Sequence, residues 1–139
     1  MAIDSGVGGV VFLLGRLLFG LAMAYMGLNH FRNADTLAGY ADANGIPAPR
    51  AGVLVSGGML VLGGLGIVLG VLPVLSAGAI AVFLLVSSFT VHDYWAAPDD
   101  QKQNERTQFL KNVGLTGAAL GFLVVGGQTW AYAVNYSVF

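Results

Sequence analysis

Four apolar stretches, each of about membrane-spanning length, divide this chain: Val7 to Leu28, Val53 to Leu72, Val74 to Val91 and Val113 to Val134. A helix rises ~1.5 Å per residue, so about 20 such residues cross a hydrocarbon layer ~30 Å thick. Hydrocarbon offers backbone amides and carbonyls no water, and a helix satisfies them within its own segment. The expectation is an all-α membrane protein, a single domain over residues 1–139 with four transmembrane helices in an antiparallel bundle. With 56% of residues hydrophobic and only 9% charged, the chain has too few charges to coat a soluble surface in the usual way. No lysine or arginine precedes the first stretch, and its apolar run exceeds the ~7–15 residues of a signal core, so it is expected to be retained.

The connections set the topology. "GVLPV", Gly70 to Val74, pairs a flexible glycine with a proline that cannot continue a helix ladder, which predicts a tight hairpin between the second and third spans. The other two connections carry the charge. Ala34 to about Asn44 reads as a short surface helix with Leu37, Tyr40 and Ala41 on one side, stopped by Gly45, Pro47 and Pro49. Asp99 or Asp100, after Pro98, can start a second short surface helix, and the aromatic pair Tyr94–Trp95 sits at interface level. Two spans separate these loops, so they share a face. Arg32, Arg50, Lys102, Arg106 and Lys111 all lie there, and the positive-inside rule makes that face cytoplasmic with both termini outside, in a multi-pass protein of the plasma membrane.

Arg16 is the one formal charge inside a span. Helical steps from it pass through Gly9, Gly20, Gly27 and His30, a small-residue stripe that lets helices approach closely, whereas Leu14, Leu17, Leu18 and Leu21 lie mostly away from it. Arg16 is therefore expected to contact protein. Asp93 is the obvious acid, but the loop-side end lies about a dozen residues along the helix from Arg16, ~18 Å, which a guanidinium closes only if the helices are offset. Backbone carbonyls near a glycine break, Ser87, Ser88, Gln128 and a neighbouring chain stay open as partners, as does snorkelling to the outer interface. Gly66, Gly70, Gly117 and Gly121 are expected to serve helix packing.

At the loop-side end the spans bring Asn29, His30, Arg50, His92, Asp93, Lys111 and Asn112 to one depth. His92, Asp93, Lys111, Asn112 and His30 form the candidate ligand site, with apolar walls for a tail and polar groups for a head; the alternative is an ordinary membrane interface. Asp93 is expected to pair with Lys111 there. Two histidines at one level also permit axial ligation of a b-type haem. The chain lacks cysteine, and no Glu-x-x-His or His-x-x-x-His pair suits zinc or di-iron, so no metal site is expected. A near-neutral charge without a basic block gives nucleic acid no footprint, and no repeat or interrupted helix pair defines a transport path.

The chain resembles the DoxX family of small four-helix membrane proteins. The resemblance rests on "GRLLFGLAMAYMGLNHF" in the first span, the turn "GIPAP", the glycine-rich "SGGMLVLGGLG", and "HDYW" and "QFLKNVGLTGAALGF" around the last loop. It implies a membrane subunit associated, in several members, with quinone-linked oxidation of sulfur compounds or with larger redox assemblies. It carries Arg16, His92, Asp93, Lys111 and Asn112 over as the matched polar positions. One departure is Ser56, where members often have an acidic residue. The leading expectation is a subunit that is not an enzyme by itself, contacts membrane lipid, associates with itself or with a redox complex, and takes a quinone as its candidate cofactor. The alternative is a purely structural, lipid-contacting subunit.

Overall fold

A computed structural model describes residues 1–139. The chain forms five helices and no strands: α1 (Gly6–Arg32), α2 (Ala34–Ala43), α3 (Pro49–Leu69), α4 (Pro73–Thr90) and α5 (Asp99–Val125). Helices α1, α3, α4 and α5 are each long and apolar enough to cross a membrane. Helix α2 is the expected surface helix and packs chiefly on α3.

The packing order is α1 on α3, α3 on α4 and α4 on α5. Glycine sets the closest approach. A Cβ on Gly20 would stand 2.5 Å from the Gly64 carbonyl oxygen, and one on Gly27 would stand 2.7 Å from that of Gly57, so α1 and α3 meet backbone to backbone. Gly66 leaves room for the Ser76 hydroxyl of α4. Between α1 and α5 the gap is filled by rings: Phe12 and Phe19 stand 5.7 and 5.2 Å from Phe122. Met23, Leu60, Ile67, Ile80, Leu84 and Ala119 make the interior. Outside, Leu18, Leu62 and Val124 are more than 70% exposed, which suits lipid and not water.

The α3–α4 turn follows the sequence closely. Gly70 adopts φ 68°, the left-handed conformation that closes a helix C-terminus, and Pro73 begins α4, where its missing N–H costs nothing. The last span differs from expectation. The anticipated surface helix after Pro98 and the span are one continuous helix, which starts at Asp99, with Asp99 and Asp100 favourably placed at its positive end, and stops at Val125 rather than near Val134.

Gly126 and Gly127 end that helix, and residues 126–139 return as an irregular strap across the bundle end. Hydropathy cannot tell such an apolar strap from more helix. The strap's backbone is satisfied by protein: Leu72 N–H donates to Tyr136 O (2.7 Å), Tyr136 N–H to Gly70 O (3.1 Å), Val134 N–H to Leu69 O (2.8 Å) and Ala131 N–H to Ile3 O (3.1 Å). Trp130, 1% exposed, plugs the bundle and donates its indole N–H to Val125 O at 2.9 Å.

Two packing expectations are corrected. A Cβ on Gly117 or Gly121 would meet nothing within 4 Å, so both glycines look outward from α5 instead of seating a neighbouring helix of the same chain. Gly70 does pack, against Ala133 of the strap rather than a helix.

Candidate ligand pocket

Two polar features lie at opposite ends of the bundle. At the strap end Arg16 is fully buried, as its glycine stripe predicts, and its Nη2 donates to the Tyr132 carbonyl at 2.9 Å. Its guanidinium lies 5.7 Å from the Phe12 ring centre and 5.4 Å from that of Trp130. Nε and Nη1 have no hydrogen-bond partner, and the two rings are what face the charge instead. Asp93 is not its partner, in line with the length argument. This end is sealed.

The loop-side end is open. A cavity of about 320 Å³ lies among α1, α2, α3, α4, α5 and the start of the α4–α5 connection. Leu37, Ile46, Val53, Phe83, Val86 and Val91 supply apolar walls, and His30, Tyr40, Ser56, His92, Lys111 and Asn112 bring polar groups. Its size and mostly apolar lining with a few polar groups are those of a small-molecule pocket.

Each polar group is positioned by a recognisable local cause. His92 follows the end of α4, on the same side as buried Ser88 and Ala81, and its Nδ1 is 2.6 Å from Glu105 Oε2. Tyr40 of α2 donates its hydroxyl to the other oxygen of Glu105. Glu105 is the chain's sole glutamate and is 6% exposed, held between a histidine and a tyrosine. Burial and then the Glu105 carboxylate push the Tyr40 phenol up to about 12, because a second negative charge beside a carboxylate is costly. These contacts join the two polar loops, which therefore share one end of the bundle.

On the other wall, His30 Nδ1 lies 3.1 Å from the Val53 carbonyl and 2.9 Å from Ser56 Oγ, while Ser56 Oγ itself donates to Val53 O at 3.0 Å. Ser56 is thus a hydrogen-bond partner for His30. Asn112 is 4% exposed and faces the cavity from α5.

The remaining sequence candidates fall elsewhere. Asp93 does not line the cavity, makes no side-chain hydrogen bond and does not pair with Lys111; Lys111 instead donates to Gln108 at 2.5 Å. The reason is helical phase. The stripe Gly114, Ala118 and Gly121 shared by Lys111 faces outward, and the buried face of α5 runs through Glu105, Asn112, Thr116 and Ala119. Following that face back from Asn112 by seven residues finds Glu105 in the sequence. Asn29 bonds Asn33, and Arg50 pairs with Asp35 in the open. No cluster of three or more His, Asp or Glu side chains has metal-binding spacing.

Four apolar spanning helices define a multi-pass membrane protein of helix-bundle type. The sequence model of the DoxX family matches residues 11–93, from α1 through His92 and Asp93, and the chain belongs to that family. Comparisons with curated proteins and with solved structures return no match.

Proposed function

We propose that this DoxX protein holds a quinone-type molecule in its loop-side pocket and works as a membrane subunit beside a redox partner, not as an enzyme alone. The carrying observation is that one apolar cavity of about 320 Å³ is fronted by His30, Tyr40, His92 and Asn112 and fenced from the opposite, sealed end by packed core. The residues fit the group: Phe83, Val53 and Leu37 would flank a ring, and the Asn112 amide and the two imidazoles would supply hydrogen-bond partners for the head in its quinone or hydroquinone form. A quinone supplies two-electron, two-proton chemistry when bound. The chain itself binds, orients and offers proton acceptors. The one-sided basic residues support the pocket's lying on the cytoplasmic side of the plasma membrane, with both termini outside.

The test is extraction and quantification of quinone co-purifying in mild detergent with wild type, His92→Ala and Lys111→Ala. Quinone or hydroquinone in wild type and a lower total of the two in His92→Ala support the reading; neither form in wild type purified from quinone-containing membranes overturns it. Lys111 lies at the rim, so its variant should lose less.

A purely structural role is the second reading, favoured by the open α5 face at Gly114, Gly117 and Gly121, which suits a helix of a second copy or of another subunit. Cross-linking from Gly117→Cys in membranes distinguishes the two partners by the mass of the product.

A further inference from the structure

We infer that the pocket selects the hydroxyl-bearing, reduced head of its ligand, a hydroquinone, over the carbonyl-bearing quinone. This deepens the proposed function and rests on that reading of the pocket. The argument is one of hydrogen-bond polarity. A carbonyl and a carboxylate only accept. His92 Nδ1 faces the Glu105 carboxylate at 2.6 Å, so it carries the proton and donates. His30 Nδ1 faces the Val53 carbonyl at 3.1 Å, and the Ser56 hydroxyl directs its own proton to that same carbonyl, so Nδ1 of His30 also carries the proton.

In each neutral ring the second nitrogen, Nε2, is then a bare acceptor. The sealed, unpartnered side-chain nitrogens belong to Arg16, so each histidine Nε2 keeps accessible surface, and both histidines line the cavity. Two histidines from two walls thus offer the same cavity two acceptors. Tyr40 and Lys111 do not balance them, because the Tyr40 hydroxyl proton is committed to Glu105 and Lys111 donates to Gln108 at the rim, and the Asn112 amide, which both donates and accepts, serves a carbonyl and a hydroxyl alike. A quinone head has two carbonyl oxygens and no donor, so it matches neither histidine. A hydroquinone has two O–H donors. The Glu105 carboxylate behind His92 further favours the ring taking up a proton from such a hydroxyl, since it faces the imidazolium that results.

Three probes of one ring and tail decide the matter: a decyl-substituted 1,4-hydroquinone, the corresponding 1,4-benzoquinone and the 1,4-dimethoxybenzene. Binding to the full-length protein in detergent is measured without oxygen at about pH 8.5, where an ordinary imidazole is neutral. The hydroquinone is expected to bind about tenfold or more tighter than either of the others, the worth of roughly one well-made hydrogen bond. His92→Phe and His30→Phe should each shrink that ratio while leaving quinone affinity within about twofold. Equal binding of quinone and hydroquinone by wild type overturns the inference and leaves the pocket's proposed function standing. Failure of all three probes to bind overturns both. The wild-type comparison stands alone if either variant misfolds.

Discussion

The guanidinium of Arg16 and the carbonyl of Tyr132, 116 residues apart in the chain, are joined by a 2.9 Å hydrogen bond inside the bundle. That bond ties the first helix to the C-terminal strap and explains how a charge is kept within a membrane span. The strap brings the carbonyl and the Trp130 ring to the cation, and the remaining donors face aromatic surface.

Removing the tie should free the strap. Arg16→Leu keeps the volume roughly apolar but loses the bond to Tyr132, and limited proteolysis in detergent should then cut within residues 126–139 at a rate several times that of wild type. Leu17→Ala should leave the rate unchanged. Trp130→Ala should cost about 3–5 kcal/mol, as for other buried aromatic truncations, and lower the thermal midpoint accordingly. Equal protease resistance of Arg16→Leu and wild type would show that the strap is held without the arginine.

Glycine substitutions should separate by face. Gly20→Val and Gly64→Val drive side-chain atoms into the opposing backbone between α1 and α3 and should destabilise by about 1–3 kcal/mol or prevent assembly. Gly117→Ala and Gly121→Ala meet open space and should be tolerated by the monomer. Thermal unfolding in detergent reads both. Loss of stability in the α5 variants at a protein concentration that dissociates oligomers would contradict the outward placement.

Tyr40 should titrate late. Ultraviolet difference titration of wild type against Tyr40→Phe should assign it an ionisation near 12, raised by burial and by Glu105, and Glu105→Gln should bring it down. Because the folded value lies above the unfolded one of 10, its contribution to stability is complete below pH 10 and is lost as pH rises toward 12. An ionisation at the ordinary value in wild type would mean that α2 does not dock on Glu105.

Orientation is open to direct labelling, because the chain has no cysteine. In intact cells an impermeant thiol reagent should label Phe139→Cys and spare Lys102→Cys. The reverse pattern would put the ligand pocket on the outside.

Much of this architecture is legible in the sequence because membrane helices obey strong local constraints. Length, apolarity, Pro73 and Gly70 fix α3, α4 and their hairpin, and the glycine stripe turns Arg16 inward. The strap was not legible. "GGQTWAYAVNYSVF" is apolar enough to pass for helix, and its fold depends on long-range partners such as Ile3, Gly70 and Arg16. The pocket was legible in half. His30, His92 and Asn112 share it as depth predicts, but depth does not give azimuth, so depth alone admits Asp93 and misses Glu105. Glu105 stands in a charged segment of the sequence, and its burial depends on α2 folding over it through Tyr40.

Photo-cross-linking tests the ligand pocket most directly. A short-tailed azidoquinone is irradiated with the protein in native membranes, and the adducts are located by peptide mass spectrometry. The predicted result is labelling confined to Leu37–Ile46 of the α2 region and Val86–His92 at the end of α4, suppressed by excess unlabelled hydroquinone. Labelling only of the outward face of α5 around Gly117, or labelling that excess ligand does not suppress, would contradict it.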